Sequence, residues 1–182
     1  MDLRLSYSII NLWLQGDYEG AIQAIHGKWR EPNEYMKYGT EKHAEWEKYV
    51  KENETLPAEF GSMRLKDFTT EEKKVIKVLD WLTLSGVIDL SYVQDGKKHI
   101  VDYKTGNSSA SAYASSLQHK VYKVLFKDAE IFEYMHWNQY TQTATVQRIH
   151  LTEETCEEGL NTIITVACDI RATMENMGEY NG

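Results

Sequence analysis

Asp89, Asp102 and Lys104 have the types and the spacing to do chemistry. They fall on two β-prone runs, Gly86-Val87-Ile88-Asp89-Leu90-Ser91-Tyr92-Val93 and Lys98-His99-Ile100-Val101-Asp102-Tyr103, joined through Gln94-Asp95-Gly96-Lys97. Asp-Gly favours a two-residue hairpin turn, because both positions tolerate positive φ. In that register Gln94 faces Lys97, Val93 faces Lys98, and Asp89 faces Asp102. Directly opposed carboxylates place their Cβ atoms roughly 5 Å apart, and their repulsion asks for a cation between them. Lys104 lies two residues beyond Asp102 and projects from the same face. Two acids and a lysine suit metal-assisted hydrolysis of a phosphodiester. The acids hold the ion, the ion polarises the phosphate and acidifies its water, and the ammonium orients that water or offsets phosphate charge. The same residues also fit an exposed sheet face on which Lys104 pairs with one acid. The other face of the hairpin (Ile88, Leu90, Val101 and Tyr103) is apolar and expected to pack on a helix.

The elements that would position this hairpin are legible in outline. Residues 8–26 read as helix, with Gly16 and Gly20 as candidate breaks, and residues 33–53 as a second, charge-rich helix. Alternation over Lys73–Leu79 predicts a strand ahead of the hairpin. Ser108 or Ser109 can cap a helix running to about Phe126. Strands near 129–137 and 143–150 follow. A last helix begins around Thr152, with Cys156, Leu160, Ile163, Ala167, Ile170 and Met174 as its apolar stripe. The order is α-α-β-β-β-α-β-β-α, an α/β domain around a mixed sheet. It spans 1–182, with a helical part over 1–60, a sheet core over 70–150 holding the helix at about 109–126, and a terminal helix over 152–177.

Composition narrows the function classes. The chain has 182 residues, 28 acids against 20 bases, and a formal net charge of −8. A broad basic surface is therefore excluded, and nucleic acid would be met through a local patch or through metal ions. Two cysteines, Cys156 and Cys168, are too few for a disulfide framework and lack the spacing of an iron–sulfur cluster or zinc finger. A reducing cytoplasm is expected. No apolar run is long enough to span a membrane, and the start of the chain lacks a signal-type apolar segment.

Three runs in order, Gly86-Val87-Ile88-Asp89, Val101-Asp102-Tyr103-Lys104-Thr105-Gly106 and Gln118-His119-Lys120-Val121-Tyr122, resemble the PD-(D/E)XK nuclease superfamily, and within it the RecB-like exonucleases. Upstream, Gly39-Thr40-Glu41-Lys42-His43 is similar to the G-T-x-x-H of that family, and Leu5-Ser6-Tyr7-Ser8 with Trp13-Leu14-Gln15 to its opening segment. The resemblance implies a restriction-endonuclease-like fold and a Mg2+- or Mn2+-dependent deoxyribonuclease, a compact, phage-like member without an iron–sulfur cluster. It implies that His43, Asp89, Asp102 and the Tyr103 carbonyl bind the metal and that Lys104 is the catalytic lysine. It also implies that Gln118 supports the site or contacts the strand, with Tyr122 beside it. Glu71 and Glu72 are further acids upstream of the hairpin.

The implied substrate is DNA, as single strands or duplex ends, in recombination, repair or phage DNA processing. An endonuclease or RNA-directed nuclease would use the same residues. A non-catalytic DNA-end-binding or assembly module would share the fold. A homo-oligomer or a recombination-protein partner fits the small size, and a bacterial or phage-infected cytoplasm the chemistry. Two cationic sets could guide a strand: Lys28, Arg30, Lys37, Lys42 and Lys48, or Lys120, Lys123 and Lys127. Trp46, Tyr35, Tyr38, Tyr113 and Trp137 are candidate platforms for unpaired bases.

Overall fold

Apolar periodicity of two and of 3.6 builds a sheet with helices on both faces in the computed structural model, which describes residues 2–178. The outer limits of the expected domain, 1 and 182, lie outside the described residues. The elements run β1 (Leu3–Leu5), α1 (Tyr7–Leu14), α2 (Tyr18–Ile25), α3 (Glu34–Asn53), a 3-10 turn (Ala58–Phe60), β2 (Thr69–Leu79), β3 (Leu82–Gln94), β4 (Lys97–Thr105), α4 (Ala110–Ala114), α5 (Gln118–Leu125), β5 (Ile131–Asn138), β6 (Thr143–His150) and α6 (Glu153–Asn176). Among the described residues no helix is long and apolar enough to cross a membrane.

Local chemistry sets most boundaries. Gly16, at φ 81°, ends α1, and the Asp17 carboxylate then caps α2 by accepting from the Gly20 N–H at 3.1 Å. Gly16 is thus the break within 8–26, while Gly20 lies inside α2. Asn33 caps α3 through the Met36 N–H, and Thr152 with Thr155 forms a reciprocal capping box on α6. The helix expected from 109 to 126 is two helices, α4 and α5, parted at Ser115–Leu117. Ser109 does hold the cap position of α4, but its side chain makes no capping bond.

Six strands form one mixed sheet. β2 runs antiparallel along one edge of β3. The other edge of β3 is shared: β1 pairs with it in parallel at Leu82–Leu84, and β4 pairs antiparallel at Leu90–Gln94. β5 lies parallel to β4, and β6 antiparallel to β5. β1 is an addition to the expected order; three residues are too few to show a period. Asp95 and Gly96 have φ of 51° and 77°, so the hairpin turn has both central residues at positive φ, and the expected register holds from Gln94–Lys97 to Leu90–Val101.

Two apolar clusters fill the two sides of the sheet. Leu84, Ile88, Ile100 and Phe132 pack with α1, α2, α5 and α6. Leu90, Tyr92, Val101, Tyr103 and Met135 pack under Trp46 and Val50 of α3. The expected apolar face of the hairpin therefore holds for Leu90, Val101 and Tyr103 but not for Ile88, which joins the other cluster. The change of side occurs at Asp89, where Glu71 of β2, at φ 53°, interrupts the pairing between Thr70–Leu90 and Glu72–Ile88.

At the far end of the sheet the buried Glu133 carboxylate is met by the Tyr92 hydroxyl at 3.0 Å, His99 Nδ1 at 3.0 Å and Arg148 Nε at 2.7 Å. His99 also stacks on Tyr92, a structural role. Burial alone would raise the Glu133 pKa, but His99 and Arg148 outweigh it and lower it. The sign follows directly: this network adds stability above the ordinary glutamate pKa and loses it as pH falls through the lowered one. Urea titrations should show Glu133→Gln less stable than wild type at neutral pH, with the gap closing in acid. A gap that is constant with pH would contradict the assignment. A Cβ on Gly159 of α6 would strike the Lys120 carbonyl of α5. Gly159→Ala should cost about 1–3 kcal/mol, read as a lower thermal midpoint.

Candidate active site

The site lies where β3, paired with β2 on one edge, has no strand neighbour on the other. Between Leu84 and Leu90 its second edge faces neither β1 nor β4. Helix α5 closes part of this gap: the Tyr122 hydroxyl donates to the Val87 carbonyl at 2.8 Å, and Leu125 approaches Gly86 so closely that a Cβ there would lie 2.7 Å from its Cδ1. A side chain at position 86 would require Leu125 to shift. The Asp89 carboxylate closes the rest. Its Oδ2 accepts from the Tyr103 N–H at 2.6 Å, so a side chain continues the cross-strand bonding where the ladder stops.

Four further side chains converge here. From α3, His43 Nδ1 lies 3.2 Å from Asp89 Oδ1. Its ring rests beside Trp46 and Tyr103, at centroid distances of 6.0 and 5.9 Å. From β4, Asp102 is buried, and from α5 Gln118 Nε2 donates to its Oδ1 at 2.6 Å. Lys104 Nζ stands 2.6 Å from Asp102 Oδ2 and 5.6 Å over the Tyr113 ring. His43, Asp89, Asp102, Lys104 and Gln118, far apart in sequence, are thus brought to one place. Tyr122 lies on α5 with Gln118 but is buried, its hydroxyl engaged with the backbone of β3.

Charge explains the pKa directions. Burial, with the nearby Asp89 charge, pushes the Asp102 carboxyl up against the pull of Lys104. Burial would lower Lys104, but Asp102 outweighs it and the ammonium is held charged. Burial would likewise lower His43, but its contact with Asp89 raises it. Glu71 is raised by burial and then by Asp89, which places it electrostatically on the site. Glu72 faces elsewhere, bonded to the Ser91 hydroxyl at 2.7 Å. Tyr7 is a neighbour that spacing does not reveal. Burial raises its pKa, and its hydroxyl senses Ser116, Lys104 and Asp102.

Two carboxylates and an imidazole are donor types that suit a hard divalent cation. Asp102 Oδ2 is buried and its near neighbour is the Lys104 ammonium at 2.6 Å. As the side chains stand they pair among themselves, and no three His, Cys, Asp or Glu among the described residues are set as a metal cage. The residues fit the ion by the chemistry of their donors, and as they stand Lys104 and His43 supply the counter-charge.

Gln118→Leu would leave Asp102 Oδ1 buried without its donor. It should cost about 1–3 kcal/mol in urea denaturation, and an unchanged midpoint would contradict the bond.

Comparison with known proteins agrees with this geometry. The structure resembles a candidate exonuclease from Eubacterium rectale at a TM-score of 0.62, with 15% identity over 98% of this chain and 83% of that one. It resembles an alkaline exonuclease from Laribacter hongkongensis at 0.59, with 10% identity over 96% and 91%. A phage-related exonuclease from Haemophilus somnus aligns at 0.54, with 13% identity over 86% and 79%. At such identities the likeness is one of fold. No curated protein matches the sequence. The family model of the PD-(D/E)XK nuclease superfamily matches residues 4–173, nearly the whole chain, and the chain belongs to that superfamily.

Proposed function

We propose that the protein is a divalent-metal-dependent deoxyribonuclease of the RecB-like exonuclease type, acting on DNA ends or single strands in the cytoplasm of a bacterial or phage-infected cell. The convergence of His43, Asp89, Asp102, Lys104 and Gln118 around one buried carboxylate carries this reading. Members of the superfamily generally use divalent metal ions. Here His43, Asp89, Asp102 and the Tyr103 carbonyl would hold Mg2+ or Mn2+. When bound, the ion supplies Lewis-acid polarisation of the phosphate and a more acidic water.

The chain's own residues do the rest. Lys104 is kept protonated beside Asp102 and presents its ammonium to the attacked phosphate, where negative charge grows. Gln118 fixes the Asp102 carboxylate by its Oδ1, and Lys104 meets its Oδ2. Tyr122 acts at one remove, holding the Val87 carbonyl and so the strand that carries Asp89. The structural neighbours named as exonucleases support a preference for ends. A non-catalytic module would have no need of Lys104 against a buried carboxylate.

Two measurements test the reading. End-labelled single- and double-stranded DNA should be degraded with Mn2+ or Mg2+ and spared in EDTA. Lys104→Ala should lower the rate about 10²–10³-fold while retaining the fold. A folded wild type that cuts no DNA with either metal would overturn it. In calorimetric titration with Mn2+, Asp89→Asn should lose binding, and Gln118→Ala should weaken it about 10–100-fold through the loosened Asp102. Equal affinities would remove these residues from the metal centre.

A further inference from the structure

The catalytic cluster leaves one feature of the helical region unused. A cleft of about 330 Å3 opens between α1, the segment after α2 and the start of α3, lined by Tyr7, Leu12, Lys28, Trp29, Arg30 and Met36. Trp29 is 57% exposed and Met36 56%. A bare indole beside an apolar wall is a surface made for a flat ring. Its flanking residues are cationic in a chain of net charge −8. Lys28 has no ion-pair partner among the described residues. Arg30 bonds Asp17 at 2.8 Å, yet its side chain stays 70% exposed. Of the other expected cations, Lys42 is taken up by Glu45 and Glu59, Lys48 pairs with Glu52, and Lys120 with Glu158. Lys123 is buried on the Lys127 and Ala129 carbonyls. Trp46, an expected base platform, is core.

Tyr7 lines the cleft and closely follows β1, which pairs with β3, the strand that carries Asp89. We infer that this cleft holds an unpaired stretch of the DNA substrate, with a base stacked on Trp29 and the backbone met by Lys28 and Arg30. A volume near that of a small-ligand pocket admits one base rather than a duplex, whose bases are already stacked on each other. The inference rests on the nuclease reading for the identity of the strand, but not for the contact itself.

The test is fluorescence anisotropy in EDTA, where no cleavage occurs. The probes are a labelled single-stranded oligonucleotide of about 12 nucleotides, an abasic strand of the same length, and a blunt duplex. Wild type should bind the intact strand better than the duplex or the abasic strand. Trp29→Ala should weaken the intact strand by roughly 5–100-fold and leave the abasic strand unchanged, while Trp29→Phe should restore most of the loss. Circular dichroism of each variant checks the fold, and Trp29 is exposed enough to be replaced without cost to the core. Equal binding of intact strand by wild type and Trp29→Ala would overturn the inference. So would a wild type that favours the duplex, or an equal loss for the abasic strand. A wild type that binds the strand in EDTA but never cuts DNA in metal would overturn the nuclease reading and leave the stacking contact standing.

Discussion

A carboxylate buried in the middle of a sheet has to be answered by positive charge and by donors, and Asp102 sets that demand for the rest of the molecule. Burial and the neighbouring Asp89 both oppose its ionisation. Lys104 answers it at Oδ2 and Gln118 at Oδ1. Burying this carboxylate with a second one, Asp89, close by is costly. A divalent cation between them would offset that cost.

The sheet is built to tolerate this cost in one place. β3 changes neighbours from β1 to β4, and the segment between carries Asp89. A continuous ladder would have used the Tyr103 N–H for pairing with backbone; here it goes to the Asp89 carboxylate. Helices on both faces then lock the opening. α3 brings His43 from the side of Trp46 and Tyr103, and α5 brings Gln118 and Tyr122 from the other. The Tyr92–Glu133–His99–Arg148 network, by contrast, is a buried carboxylate met by three donors, and it reads as structure rather than function.

Much of this could be read from the residues. Asp-Gly fixed the hairpin register as far as Leu90–Val101, but the ladder stops before the expected Asp89–Asp102 pair, and Asp89 bonds the Tyr103 N–H instead, with Lys104 on Asp102. Side-chain alternation alone did not reveal that Ile88 and Leu90 pack on different sides, because the left-handed Glu71 lies on another strand. β1 was invisible for its length. The split between α4 and α5 was hidden by Ser115 and Ser116, which occur in helices and turns alike. Tyr7 falls in the Leu5-Ser6-Tyr7-Ser8 run that resembles the family's opening segment, but its spacing says nothing of the site; the docking of β1 on β3 brings it toward β3. Trp29 was passed over because exposure of a tryptophan is decided by tertiary packing, not by its neighbours in sequence.

The most direct test of the account is the location of the ion itself. Crystals of the wild-type protein grown with Mn2+ should show an anomalous scattering peak between Asp89 and Asp102, within ligand distance of His43, with Asp102 Oδ2 turned to it. A peak elsewhere, or none while Asp89 stays on His43 and Asp102 on Lys104, would contradict the claim that the buried carboxylate is a metal ligand.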